Sequence, residues 1–170
     1  MARPDAPTSP SANAAQALRG RLDGAGLRVG VAFAPYDRAI VDPLLDGALA
    51  VLAEAGVAQD GRHVVEVPGA VELPLAARAL IDAADVDAVV TLGAVVRGAT
   101  DHYDYVCDMV ARGVERVALD TGRPVAFGVL TSPTRELALA RAGGEAGNKG
   151  AEAAEAAVRM ADLLRRLPHG

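Results

Sequence analysis

Four short apolar runs punctuate the chain: Val29-Gly30-Val31-Ala32-Phe33-Ala34, Val64-Val65-Glu66-Val67, Ala88-Val89-Val90-Thr91-Leu92 and Val125-Ala126-Phe127-Gly128-Val129-Leu130. Runs of this length, with little polar alternation and Gly, Asp or Pro punctuation before them, mark strands covered on both faces. Between them the spacing turns helical. Ile40, Leu44, Leu45, Ala48, Leu49 and Leu52 recur every three or four residues and stop at Gly56, a C-terminal cap. Leu73 to Ile81 and Tyr105 to Val114 repeat the pattern in shorter form. After the last run come two helical stretches, Thr134 to Ala142 and Gly150 to Leu167. In the second, Ala154, Ala157, Val158, Ala161 and Leu164 suit packing on the sheet or against a neighbouring subunit. Strands alternating with helices imply right-handed crossovers, hence an α/β three-layer sandwich: a four-stranded parallel sheet with helices on both faces.

At 170 residues the chain suits one domain with a full core. Residues 1–20, rich in Ala, Pro and Ser without regular apolar spacing, are expected to form a mobile arm, and residues 21–170 the domain. Although 51% of the residues are hydrophobic, no unbroken run approaches the ~20 needed to span a bilayer. The start has no apolar stretch resembling a secretory signal, so a cytoplasmic location is expected. The single cysteine, Cys107, excludes an intrachain disulfide and any Cys-rich zinc site; it reads as a small buried hydrophobe. A net charge of −5 without a Lys/Arg cluster argues against a nucleic-acid partner.

Open parallel sheets bind ligands beyond the carboxyl ends of their strands, which directs attention to four segments. They are Pro35-Tyr36-Asp37, Pro68-Gly69-Ala70-Val71-Glu72, Arg97-Gly98-Ala99-Thr100-Asp101-His102 and Thr131-Ser132-Pro133-Thr134. In the third, Gly93 and Gly98 would let backbone approach a ligand, Thr100 offers a hydroxyl, and a helix beginning near Tyr105 would present N–H groups and a positive dipole to an anion. His102 suits proton transfer near neutral pH, or equally a helix cap or a core hydrogen bond. His63 and His169 read as surface residues. Tyr36 and Phe127 could each stack on a planar heterocycle, a contact of ~1 kcal/mol beyond area burial; the alternatives are an ordinary loop aromatic and ordinary core. No set of His, Cys and carboxylates has metal-ligand spacing. Ser9, Ser11 and Ser132 lie outside any Gly-x-Ser-x-Gly elbow, and neither GxGxxG nor GxxxxGK[ST] occurs.

The succession GAVE (Gly69 to Glu72), LGAVVRGATDHYDYV (Leu92 to Val106), PVAFGVLT (Pro124 to Thr131), ARAG (Ala140 to Gly143) and AGNKG (Ala146 to Gly150) resembles the lumazine synthase family. The resemblance runs from Leu27 to Leu167, and RGATxHYDYV is its most specific part. It implies a flavodoxin-like domain that joins 5-amino-6-(D-ribitylamino)uracil to 3,4-dihydroxy-2-butanone 4-phosphate, without cofactor or metal, to give 6,7-dimethyl-8-ribityllumazine. By the same resemblance His102 is the proton-transfer residue. Ala99, Thr100, Arg141 and Lys149 attend the phosphate. Tyr36, Ala70, Val71, Glu72, Ala94, Val95, Val96 and Phe127 attend the pyrimidine and ribityl chain, with Phe127 supplied by a neighbouring subunit. Homo-oligomers are implied as well: pentamers, pairs of pentamers or sixty-subunit shells, with active sites between chains. The compact AGGEAGNKG turn leans toward the shell. One departure stands out: where the family reads Arg-Phe-Asn, this chain has Pro35-Tyr36-Asp37, which keeps the ring and adds a negative charge near the pyrimidine. A carrier of lumazine or flavin, a shell-forming protein and an enzyme for a modified pyrimidine therefore remain as alternatives.

Overall fold

The computed structural model describes residues 17–168; most of the expected arm, and His169, lie outside them. Eleven regular elements follow one another in the described chain: β1 (Val29–Phe33), α1 (Arg38–Glu54), β2 (Arg62–Glu66), α2 (Leu73–Ala84), β3 (Ala88–Val96), α3 (His102–Thr121), β4 (Val125–Ser132), α4 (Arg135–Ala140), β5 (Ala142–Gly144), β6 (Gly147–Asn148) and α5 (Lys149–Arg166). Single 3-10 turns at Gln59–Gly61 and Ala70–Glu72 flank β2.

The main sheet is parallel with order β2-β1-β3-β4, and one row across it reads Val64, Val31, Val90, Ala126. Because side chains alternate across a strand, a strand apolar throughout feeds two cores. On β1, Val29, Val31 and Phe33 join the core beneath α1 and α5, while Ala32 and Ala34 join the core beneath α2 and α3. The first core is centred on Ile40, Leu44, Leu52, Leu92 and Val158, the second on Leu73, Leu80, Val89 and Val110. This is the flavodoxin-like three-layer arrangement that the alternation of runs and helices implies.

Four differences from the sequence expectation bear on the site. β3 continues to Val96, so Gly93 lies inside the strand, walled by the side chains of Leu73, Ala34 and Val129, rather than in a ligand loop. α3 begins at His102, one turn before Tyr105, and runs to Thr121 because Val110, Val114 and Val117 keep an apolar stripe against α2 and the sheet. β4 extends to Ser132. The hairpin β5–β6 has no counterpart in the hydrophobic pattern, since its strands are nearly all glycine, alanine and asparagine.

Two contacts fix α5. Gly150 packs so closely on α1 that a Cβ there would lie 2.0 Å from the Leu44 carbonyl oxygen. At the far end Asp162, 1% exposed, accepts hydrogen bonds from the Arg21 amide at 2.8 Å, Arg165 at 2.9 Å and Arg166 at 3.1 Å. These bonds, the backbone one first, hold its carboxyl at about 2. Arg166 also donates to the Arg19 carbonyl, and Arg165 to those of Asp23 and Ala25, which ties residues 19–25 to the last turns of the helix. Among the described residues no helix is long and apolar enough to cross a membrane.

Candidate functional site

Strand order reverses between β1 and β3: the chain steps outward from β1 to β2, then returns to the other side of β1. Such a switch point leaves a crevice at the carboxyl ends of the strands. Here it is a cleft of about 390 Å³ lined by Tyr36, Gly69, Ala70, Val71, Glu72, Ala94, Val95, Val96, Gly98, Thr100, His102, Tyr103 and Val106. Tyr36 arrives from the turn after β1, Ala70–Glu72 from the 3-10 turn after β2, and Ala94 to Val96 from the end of β3. The structure thus brings together eleven residues that the sequence singles out, all of the lining but Tyr103 and Val106. Ala99 sits beside them in the loop but does not line the cleft. Tyr103 and Val106 do line it, and sequence reasoning missed both: with α3 beginning near Tyr105, Tyr103 falls in a loop, whereas a start at His102 puts 102, 103 and 106 on one helical face.

The imidazole of His102 is exposed and makes no hydrogen bond to the described residues, which removes the core-histidine and capping readings. Asp101, the residue before the helix, makes no side-chain bond to its N-terminal amides. The loop that precedes them is stapled to α3. Arg97 donates to both carboxylate oxygens of Asp104, at 2.6 and 3.1 Å, and its guanidinium lies 4.2 Å over the Tyr103 ring. Its amide donates to the Ser132 carbonyl at 3.0 Å. Tyr103 in turn shares hydrogen bonds with Cys107 and Thr131, and burial raises its hydroxyl above the ordinary range. Cys107 is half-buried rather than the fully buried hydrophobe expected; burial, ahead of the opposing Tyr103 hydrogen bond, pushes its thiol up.

Asp37 also departs from expectation. Its carboxylate does not line the cleft. It caps α1 by accepting from the Ala39 amide at 3.2 Å, and it forms a two-pronged ion pair with Arg135 at 2.7 and 3.2 Å. The Arg135 hydrogen bond is the main cause that holds this carboxyl below its ordinary range. The negative charge that the sequence adds next to the stacking ring is therefore neutralised inside the fold.

Phe127, Arg141 and Lys149 lie elsewhere. They line a separate groove of about 410 Å³ along the outer edge of β4, with Thr131, Ser132, Glu152 and Ala153 among its other walls. No residue lines both cavities. Phe127 is 42% exposed, so it is not core. Arg141 ends α4 and donates to the Leu137 carbonyl at 3.0 Å; Lys149 opens α5 and pairs with Glu152 at 2.6 Å. The β5–β6 hairpin returns the chain so that the Lys149 amide donates to the Arg141 carbonyl at 2.9 Å. Asn148 then caps α5 through the Gly150 and Ala151 amides while donating to the Pro43 carbonyl at 2.8 Å. Among the described residues no group of three His, Cys or carboxylate side chains could hold a metal.

The domain is doubly wound α/β, and its switch-point cleft has an apolar floor, an exposed aromatic ring at its mouth and an open imidazole, features that suit a small molecule. Residues 26–165 match the family model described as 6,7-dimethyl-8-ribityllumazine synthase. The chain belongs to that family.

Proposed function

We propose that this protein condenses 5-amino-6-(D-ribitylamino)uracil with 3,4-dihydroxy-2-butanone 4-phosphate, releasing phosphate and water, to form 6,7-dimethyl-8-ribityllumazine. The observation that carries the reading is the cleft itself, where Tyr36, Ala70 to Glu72, Ala94 to Val96, Thr100 and His102 converge in a member of this family. In this reading the pyrimidine stacks on Tyr36, its edge meets the backbone of Ala94 to Val96, and the ribityl chain runs along Ala70, Val71 and Glu72. The butanone phosphate rests on Ala99 and Thr100 at the start of α3, where amides and the helix dipole favour an anion.

The 5-amino group attacks the ketone carbon and water leaves, giving an imine. A proton then leaves the carbon next to the one that bears the phosphate, taken in this reading by the open imidazole of His102, and phosphate departs. The enol so formed becomes a ketone, and the ribitylamino nitrogen attacks it with loss of a second water to close the ring. Holding both substrates together supplies the rest; in favourable cases proximity is worth ~7 to 11 kcal/mol. Arg141 and Lys149 complete the phosphate site, with Phe127 beside them. Since they line a different groove of the same chain, they serve a cleft on an adjacent copy. The outer edge of β4, which no strand among the described residues pairs, supports that homo-oligomer: an edge strand with no charge or proline inside it invites pairing or coverage. Beside it, Pro124, Val125, Ala126, Ala156, Ala157 and Met160 form a further, nearly all-apolar groove.

The test is formation of the fluorescent lumazine from the two substrates, against the spontaneous rate. Formation no faster than the control would put a carrier or shell role first. Arg141→Ala should raise KM for the butanone phosphate by ~10- to 100-fold, the scale of one charge-assisted contact, and leave KM for the pyrimidine nearly unchanged. Equal effects on both constants would count against the assigned role.

A further inference from the structure

Tyr36 stands at the mouth of the cleft with 85% of its surface exposed. No packing orients the ring, so its position is set by the backbone on either side. On one side is Pro35, whose ring fixes φ. On the other is Asp37, held in four ways. Its carbonyl accepts from the Ile40 and Val41 amides at 3.0 and 2.9 Å, its carboxylate accepts from the Ala39 amide, and Arg135 grips that carboxylate with two donors. Arg135 is itself well anchored, as the first residue of α4, behind a Thr134 cap that accepts from the Leu137 amide at 3.3 Å.

The pair joins residues 98 apart in sequence, from the end of β1 to the start of α4 beyond β4, so it spans the carboxyl end of the sheet over β3. Arg38 provides a weaker counterpart toward β2, pairing with Glu66 at 3.1 Å through side chains 59% and 51% exposed, whereas Arg135 and Asp37 are 49% and 23% exposed. Solvent screens the outer pair more than the inner one.

Resting on the reading of the cleft given above, we infer that the Asp37–Arg135 ion pair is a positioning device for the Tyr36 ring, and through it a determinant of affinity for the pyrimidine substrate rather than for the phosphate-bearing one. Asp37 touches no part of the cleft, so it acts through its neighbour. Where the family reads Asn, the carboxylate of Asp37 forms a strut within the chain.

The experiment uses the assembled protein and the variants Arg135→Leu, Asp37→Ser and the double variant. Serine keeps a capping oxygen at the start of α1 but is too short to reach Arg135. Each single variant should raise KM for 5-amino-6-(D-ribitylamino)uracil by about three- to five-fold, the upper range for a partly exposed pair, with KM for the butanone phosphate and kcat little changed. The dissociation constant of 6,7-dimethyl-8-ribityllumazine, measured by calorimetry, should rise by the same factor. The double variant should be no worse than either single one, because they remove one interaction. Raising salt from about 0.05 to about 0.5 M should bring the unmodified protein toward the variants, whose own constants stay put. Arg135→Lys should recover part of the loss.

An unchanged KM for the pyrimidine in variants that still turn over would overturn the inference. So would additive losses in the double variant, or equal losses toward both substrates with a lowered melting temperature, the signature of a merely structural pair. If the unmodified protein neither forms nor binds the lumazine, the reading of the cleft fails first, and that is seen before any variant is made.

Discussion

The cleft at the switch point and the groove along β4 are built in contrasting ways. The cleft is assembled by convergence: three strand ends and the start of α3 bring backbone, a ring and an imidazole to one place, with Ala94 buried as its floor. Yet among the described residues it is lined by no Lys or Arg, and the nearby guanidinium of Arg97 is bound to Asp104. The groove is an open flank of an edge strand, and it holds the cationic pair Arg141 and Lys149. One feature set lacks what the other has, and the fold keeps them apart. In the function proposed above, the two are unlike halves of one site for a phosphate-bearing substrate, and an adjacent copy joins them.

Mixing variants tests that division with the largest expected effect. His102→Ala should lower kcat by about ten- to a hundred-fold, at or below the usual range for a general base because proximity remains. Arg141→Ala removes the other half. If the halves meet between copies, assembling the two variants together at equal ratio restores about a quarter of the sites, those formed by an intact cleft against an intact groove. Activity of the mixture that never exceeds the mean of the two separate variants would show that cleft and groove serve the same chain.

A second, smaller effect comes from the anchor of the helix that carries Lys149. Asp162→Asn leaves the shape but weakens bonds to Arg165, Arg166 and the Arg21 amide, and should cost ~1 to 3 kcal/mol, a fall of roughly 2 to 4 °C in Tm per kcal/mol for a chain of this size. Asp162 titrates at about 2 when folded and at 3.8 otherwise, so its stabilisation is complete above 3.8 and is lost as pH falls from there through about 2. In that interval the unmodified protein should lose stability that the Asn variant has already lost, and the two denaturation curves should converge. Affinity of the cleft for the lumazine should not move, because Asp162 lies at the far end of α5 from both cavities. A parallel loss of binding would mean that the two regions are less separate than their linings indicate.

How much of this was legible beforehand follows from how each feature is encoded. The sheet and its two cores were readable because apolar runs and helical spacing are local signals; the boundary of β3 was missed because Gly93 reads as punctuation within an apolar run that goes on to Val96, and that of α3 because its stripe continues among polar residues to Val117. Tyr36, Ala70 to Glu72, Thr100 and His102 were readable as residues after strands, a rule of topology, whereas Ala94 to Val96 lie inside β3 and were implied only by the family resemblance. Tyr103 was lost only through the misplaced helix start. What no local pattern encodes is pairing across the fold. Asp37 looked like a charge beside the ligand, and only Arg135, 98 positions on, makes it a strut. Asp162 is hidden in the same way, within a helix whose spacing favours alanines. The hairpin β5–β6 escaped because glycine-rich strands carry no hydrophobic period, although AGNKG itself resembles the family's segment.

The smallest expected effect concerns the wall behind the cleft. Cys107 faces Tyr103, which lines the cavity, and burial raises its thiol despite that hydrogen bond. A raised thiol pKa lowers the thiolate fraction near pH 8, and thiolate is the reactive form. Ellman's reagent should therefore label the native protein on the order of ten-fold more slowly than the denatured chain, with a further slowing when the lumazine fills the cleft and holds Tyr103 in place. The groove offers no such reporter, since no cysteine lines it. Labelling at the denatured rate would mean that water reaches the Cys107 side of α3, and the contrast between a packed cleft and an open groove would lose its physical basis. Slow labelling that the lumazine leaves unchanged would keep the packing but detach Tyr103 from ligand binding.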